Sequence, residues 1–306
     1  WFAEPGEQPV DGLSFGRANW FAAVGREHRA CRERVALFDQ SSFAKFLLVG
    51  RDAEQALSWL CANDIAKPPG SLTYTQLLNG RGGIECDLTV ARLTEDRFYL
   101  VTGTGFATHD FDWILRHLPE GLDAHLVDGT SAHAVLSLFG PAAREVLGAV
   151  TTDPIDDASF PFATCRRLRV AGAPILALRV TYVGELGWEL HVPVEFALTV
   201  YEALMRAGAP HGIANAGYRA IESLRLEKGY RAWGAEIGPD HSPLVAGLGF
   251  ATKLRKPIPF LGRDALEAQR ARPLPRLLGG FAVADPAVTL LGRETIYRDG
   301  KRVGWL

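Results

Sequence analysis

Asp87 stands in "NGRGGIECDLTV", inside a run whose other residues favour a β-strand. A carboxylate costs free energy there unless it is exposed or paired. The residues leave two readings open: an outward-facing aspartate, or a group held beside a cationic or proton-bearing substrate nitrogen. Glu189 in "RVTYVGELGWELHVP" poses a similar choice. It alternates with Leu190 and follows Trp188, so on a regular strand it falls on the polar face. There it is either solvated or placed to accept two parallel hydrogen bonds from a ring amidine, as a carboxylate does from a guanidinium. A third cluster, "GYRAIESLRLEKGYRAWGAEI", gathers Arg219, Arg225, Lys228 and Arg231 against Glu222, Glu227 and Glu236. Glu222 to Arg225 and Glu227 to Arg231 are spaced to pair along a helix, and the surplus cations could receive an anionic tail.

Other groups offer less. Gly103 and Gly105 in "VTGTGFAT" imitate the start of a dinucleotide loop, but Thr108 replaces the third glycine and no βαβ unit surrounds them. The 8 histidines show no H-x-x-x-H spacing, which gives no metal site. Ser41, Ser42 and Ser137 lack a nucleophile-elbow context.

The elements that must position Asp87 and Glu189 follow from hydrophobic period. Helical spacing covers Asn19 to Ala36, Asp52 to Asn63, 106–118, Ala142 to Ala149, Ala197 to Ala207 and about Tyr218 to Glu227. "YTQLLNGRGGIECDLTVARLTEDRFYLVT" reads as three strands in a meander, with a tight turn at Gly82-Gly83. Strands are also expected at Phe46 to Val49, 134–141 and around Cys165 to Val170. The Glu189 segment is predicted to be a hairpin folded on Gly184 to Gly187, with Val180, Leu190 and Val192 as its core. After a linker, "ARPLPRLLGG", comes a strand-rich end with an Asp299-Gly300 turn. Helices and meandering strands without a regular βαβ rhythm give an α+β fold.

Composition bounds the function. The 306 residues, 47% hydrophobic and 22% charged, can bury substantial cores, and the formal charge of −2 gives no global footprint for nucleic acid or an anionic membrane. The 4 cysteines form no C-x-x-C pair and are expected reduced and partly buried. No stretch reaches the roughly 20 apolar residues of a membrane span. The start at Trp1 and the strand that stops at Leu306 lead to the expectation of further sequence on both sides.

In chain order, "LFDQSSFAK", "LLNGRGGIECDLTV", "LFGP", "TYVGELGWELHVP", "GYRAIESLRLEKGYRAWGAEI" and "FLGRDAL" resemble the glycine-cleavage T-protein (aminomethyltransferase) superfamily over nearly the whole chain. "SFGRANWFAAVGREHRACRE", "AND" at 62–64 and "KGYRAWGAEI" look most like the folate-binding C-terminal half of FAD-dependent dimethylglycine and sarcosine dehydrogenases. The resemblance implies a T-protein-like fold with an incomplete C-terminal β-barrel. Its parts would be 1–46 with 139–245 as a discontinuous first unit, 47–138 as an inserted second, and 246–306 as linker and partial barrel. Carried over by motif, the catalytic acid falls on Asp87, alone because Cys86 occupies the position where relatives often have a second acid. The cofactor-binding positions fall on Tyr74, Tyr182, Glu189 and Arg219, with Arg225 a further candidate.

The function so implied is capture of a formaldehyde-level carbon from an N-methyl amine by tetrahydrofolate, with no metal. FAD would belong only to a dehydrogenase half in cis, outside this chain, and residues 1–306 alone would bind none. The alternatives are a free-standing aminomethyltransferase, which would need a lipoyl carrier protein, and a non-catalytic folate-binding module. Accessory relatives of the fold carry a K-G-C-x-x-G-Q-E type motif where this chain reads Lys228-Gly229-Tyr230. The expected location is cytoplasmic, with the mitochondrial matrix as the alternative; no nucleic-acid or membrane partner is expected.

Overall fold

The computed structural model describes residues 1–306 apart from Leu13 and Pro286. In chain order the elements are α1 (Phe21–Glu33), β1 (Ala36–Asp39), β2 (Ala44–Val49), α2 (Ala53–Leu60), β3 (Leu72–Leu78), β4 (Ile84–Thr94), β5 (Arg97–Thr102), α3 (Ala107–His117), β6 (His125–Asp128) and β7 (His133–Phe139). They continue with α4 (Ala143–Gly148), β8 (Cys165–Val170), β9 (Ala173–Leu178), β10 (Gly187–Pro193), α5 (Ala197–Gly208), β11 (Ala214–Ala216), α6 (Tyr218–Glu227), α7 (Arg263–Arg270), β12 (Thr295–Arg298) and β13 (Lys301–Trp305).

Alternation along the strands sorts side chains into cores. A 6-stranded sheet runs β11-β1-β7-β10-β9-β8, antiparallel except for β1 with β11. Leu136 and Leu138 of β7 and Trp188, Leu190 and Val192 of β10 point to one face, where Val200 and Leu204 of α5 and Val146 of α4 cover them. A 5-stranded sheet runs β3-β4-β5-β2-β6, and Phe46, Leu48, Cys86, Leu88, Val90 and Leu100 pack there against Leu57 of α2 and Ile114 of α3. The sheets meet through Leu72, Ala91, Tyr99 and Val101 on one side and Cys165 and Leu178 on the other. A further core joins α1 and α6 over Phe38 and Phe139.

The chain passes between the sheets after β1 and again after β6, so 47 falls within β2 and 138 within β7. The meander β3-β4-β5 has the expected topology. Its β3–β4 turn depends on glycine. Gly82 has φ +82°, and a Cβ on Gly83 would lie 1.8 Å from the Pro239 carbonyl oxygen.

The predicted Glu189 hairpin is corrected. Its first leg is no strand: 179–186 form a loop, and β10 instead pairs with β9, placing Glu189 opposite Leu178. The loop is fixed locally, the Thr181 hydroxyl accepting from the N–H groups of Val183 and Gly184 at 3.2 and 2.9 Å. Beyond 246 the strand-rich end comprises, among the described residues, the hairpin β12–β13 with Asp299 and Gly300 both at positive φ. It follows α7, a helix the periodicity left unread. All 4 cysteines are free and buried. No helix of the described residues is long and apolar enough to cross a membrane.

Candidate functional site

Asp87 lies mid-strand in β4, opposite Gln76 of β3, so Asp87 and Gln76 share a face while Cys86 and Leu88 turn into the core behind. Asp87 is therefore half-buried rather than outward-facing. Its Oδ1 accepts a hydrogen bond from Gln76 Nε2 at 2.8 Å. Burial pushes its carboxyl up to about 6; hydrogen bonds from Gln76 and Tyr74 pull the other way, and the nearby Asp110 charge adds to the rise. Near neutral pH this carboxyl is mostly ionised yet basic enough to take a proton. The Gln76 Oε1 is buried without a partner.

Tyr74 lies two residues before Gln76 on the same strand face, its hydroxyl beside Asp87, and its ring stacks on Phe250 at 6.3 Å between centroids. Burial, then the Asp87 charge, raise its phenol far above the usual range, so it stays protonated. Tyr182 comes from the 179–186 loop. Its hydroxyl donates to the Arg231 carbonyl at 2.7 Å, and its ring stacks on Tyr230 at 5.9 Å. Burial raises its phenol as well, with Asp87 among the charges that act on it. Asp87, Tyr74, Gln76 and Tyr182 thus form one cluster.

Glu189 is only 8% exposed, which removes the solvated reading. It projects from β10 toward the second sheet together with His191, which is fully buried. His191 Nδ1 lies 3.0 Å from the Tyr99 hydroxyl of β5, and Nε2 lies 3.8 Å from Glu189 Oε2 with no other partner. Burial lowers the imidazole's pKa against the pull of Glu189, so the ring is neutral near pH 7. A neutral ring that accepts the Tyr99 proton at Nδ1 carries its own on Nε2, aimed at the Glu189 carboxylate. Two carboxylates, one on each sheet, Asp87 half-buried and Glu189 buried, thereby stand without a cationic partner in ion-pair contact among the described residues.

The arginines are engaged elsewhere. Arg219 pairs with Asp11 and lies over the Trp20 ring at 4.4 Å, with no contact to Asp87, Tyr74 or Glu189 among the described residues. Arg225 is 2% exposed; it binds Glu222, Glu236 at 2.7 Å and the Tyr230 carbonyl at 2.9 Å. That clamp fixes the segment on which Tyr182 stacks. Gln76, His191 and Tyr99 escaped the sequence reading. The signal for Gln76 was the strand period, which puts it beside Tyr74; nothing local announced Tyr99, because its partner comes from the other sheet.

Behind Asp87, ligating atoms of Cys86, His109 and Asp110 lie within 4.8 Å of one another, a grouping no sequence spacing announces. Asp110 is hydrogen-bonded there by Thr102 and by His109 Nδ1 at 2.9 Å, which accounts for its burial without an ion. The Gly103-Gly105 segment is a turn from β5 into α3 beside antiparallel strands, not a phosphate loop.

Comparison with known proteins agrees with this architecture. Residues 1–256 match the family model described as the GCVT N-terminal domain. Human sarcosine dehydrogenase, mitochondrial, is 46% identical over 295 residues, covering 92% of this chain and 32% of that protein. Rat dimethylglycine dehydrogenase, mitochondrial, is 39% identical over 305 residues, covering 99% and 36%. The chain thus spans about a third of the length of these relatives. The crystal structure of the glycine cleavage system aminomethyltransferase T from Bartonella henselae superposes with a TM-score of 0.71 at 30% identity, covering 86% of this chain and 72% of that one. The chain has the T-protein fold and belongs to the GCVT N-terminal domain family, an aminomethyltransferase-type domain related to sarcosine and dimethylglycine dehydrogenases.

Proposed function

We propose that the chain is a tetrahydrofolate-binding unit that captures a formaldehyde-level carbon from an N-methyl amine of the dimethylglycine or sarcosine type, as part of a larger FAD-dependent dehydrogenase. The observation that carries this is the half-buried Asp87 carboxyl, fixed by Gln76, bordered by Tyr74 and tuned to about 6. The orphaned Gln76 Oε1 and the buried Glu189 carboxylate are acceptors awaiting N–H donors, which a pterin edge offers.

When bound, a tetrahydrofolate supplies the two nitrogens that take up the carbon, yielding methylenetetrahydrofolate. The side chains do the rest. Glu189, oriented by His191, accepts from the pterin edge; Tyr74 and Tyr182 bound the ring. Asp87 orients the reacting nitrogen and takes the proton it releases, and its placement by Gln76 counts for more than its basicity. For Arg219 we propose long-range compensation of folate charge, and for Arg225 a positioning role through Tyr230. The two dehydrogenase relatives favour an FAD-binding partner domain in cis, and both being mitochondrial proteins favours a mitochondrial location over the cytoplasm. We also propose the three-part division, with its inner edges moved to the sheet crossings after β1 and β6.

A second reading is a free-standing aminomethyltransferase working with a lipoyl carrier, favoured by the 72% coverage of the Bartonella chain. The experiment supplies tetrahydrofolate together with an FAD-dependent oxidase acting on sarcosine, and compares methylenetetrahydrofolate formed with free formaldehyde. Wild type is expected to raise the captured share above the uncatalysed level, and Asp87→Asn is not. Equal shares with and without wild type would remove the proposal, and activity only with lipoylated carrier would favour the second reading.

A further inference from the structure

The Cys86, His109 and Asp110 grouping behind Asp87 takes no part in the folate reading. Cys86 comes from β4, His109 and Asp110 from the start of α3, and one ligating atom of each lies within 4.8 Å of the other two. All three side chains are set by their surroundings. Cys86 is 1% exposed and faces the core. Asp110, 2% exposed, has its Oδ2 held by the Thr102 hydroxyl, which leaves Oδ1 for His109 Nδ1 at 2.9 Å. The His109 ring stacks on Trp113 at 6.4 Å and lies 5.6 Å from Trp233 between centroids. Its side chain is 42% exposed, so the grouping opens to solvent on that side.

Negative charge collects here without a lysine or arginine. Asp110 and Glu85 both lie beside His109, Glu85 Oε2 at 3.7 Å from Nε2, and among the described residues neither carboxylate has a lysine or arginine in ion-pair contact. The other Glu85 oxygen takes a neutral donor, Asn79 Nδ2 at 2.8 Å. Burial, and after it the Asp110 charge, push the Cys86 thiol well above its usual range, with Glu85 adding to the rise. The imidazole proton is a second point of conflict. A neutral ring that donates from Nδ1 to Asp110 turns its Nε2 lone pair on Glu85, acceptor against acceptor. A divalent cation held by Nδ1, Asp110 Oδ1 and Cys86 Sγ removes both conflicts. The ring proton then sits on Nε2, aimed at Glu85, the carboxylate–imidazole–metal arrangement usual for a metal-bound histidine.

We propose that Cys86, His109 and Asp110 form a site for a divalent cation of the zinc class, which clasps α3 to β4. Thiolate, imidazole and carboxylate are zinc's own ligand types, whereas calcium and magnesium call for more oxygens. Three protein ligands leave the fourth position to water on the exposed His109 side. Around a tetrahedral zinc ion such ligand atoms stand roughly 3.3–3.6 Å apart, so the grouping must contract by roughly 1.5 Å at its widest, a movement within reach of side-chain rotation. The protons balance: the thiol proton passes to solvent and the ring proton moves from Nδ1 to Nε2, so one proton leaves per ion bound. The competing arrangement puts a proton in place of the ion, making His109 an imidazolium between Asp110 and Glu85. The site rests on these residues alone and stands or falls apart from the folate proposal.

The test is titration of the chelator-treated chain with Co²⁺, whose bond to a thiolate gives a charge-transfer band in the near ultraviolet, on wild type, Cys86→Ser and His109→Gln. Wild type is expected to develop the band, to saturate at one Co²⁺ per chain, and to lose the band when Zn²⁺ is added. Cys86→Ser should show no band although Cys31, Cys61 and Cys165 remain. His109→Gln should need roughly tenfold more Co²⁺ or worse to saturate. Serine at the buried Cys86 position could unfold the chain, so its melting temperature is measured first; His109 is exposed, and its variant decides the matter if serine is not tolerated. Saturating Zn²⁺ should also raise the melting temperature of wild type more than that of His109→Gln, because the ion binds the folded arrangement. No band in wild type, the result the imidazolium arrangement predicts, overturns the proposal, as does the same band in Cys86→Ser or an undiminished affinity in His109→Gln.

Discussion

Replacing Asp87 by Asn should stabilise the protein above neutral pH while disabling it. The folded state holds this carboxyl at about 6, against 3.8 for the ordinary group, chiefly because burial penalises the charge. Each pKa unit corresponds to about 1.4 kcal/mol, so ionised Asp87 costs the folded state about 3 kcal/mol. The sign follows from the raised value. The folded state binds this proton more tightly than the unfolded one, so the stability it lends is fully present below pH 3.8 and lost as pH rises through 6. Asn keeps an acceptor for Gln76 Nε2 and never ionises. The difference in unfolding free energy between Asp87→Asn and wild type should therefore grow between pH 4 and 7 and level off near 3 kcal/mol, a rise in Tm of roughly 5 °C for a chain of this size. Urea unfolding of both proteins at several pH values reads the difference directly and cancels the titration of every other group. A difference that is flat with pH, or that favours wild type above pH 7, would refute the placement of a costly carboxylate here.

The other expectations follow from the same site. One-carbon capture should rise with pH through an apparent pKa of about 6, the basic form of Asp87 being the active one, and the Asp87→Asn rate should be lower by about 10²–10⁴ with no such inflection; an unchanged profile in the variant would assign the titration elsewhere. His191→Leu leaves the Tyr99 hydroxyl and Glu189 short of a partner, and denaturant unfolding should show a loss of about 1–3 kcal/mol. Arg225→Met breaks a buried clamp on Glu222, Glu236 and Tyr230 and should cost about 3–5 kcal/mol by the same method; a variant as stable as wild type would show that the clamp is not needed.

What the sequence made legible follows the range of the interactions involved. The meander around Asp87 was readable because β-favouring runs and Gly82-Gly83 are local signals, and the helices from α1 to α6 declared themselves by period, as α7 did not. The Glu189 hairpin misled because "RVTYV" has strand composition, whereas its backbone is held by Thr181 turns and by Tyr182 reaching Arg231. The polar face of β10 read as solvent-facing for a related reason. Alternation reports which residues share a face, and only the docking of β5 through Tyr99 turns that face into an interior. The cation-rich helix read correctly as paired charge for Arg225 with Glu222, while the pairing of Arg219 with Asp11 joins residues 208 apart in sequence and left no trace in spacing.

The central claim, that the Glu189 and Asp87 carboxylates divide the work of holding and reacting, is tested most directly by calorimetric titration of tetrahydrofolate into wild type, Glu189→Ala and Asp87→Asn. The account predicts that wild type binds, that Glu189→Ala binds at least tenfold more weakly, and that Asp87→Asn binds nearly as well as wild type. Equal binding by wild type and Glu189→Ala, or loss of binding in Asp87→Asn alone, would contradict it.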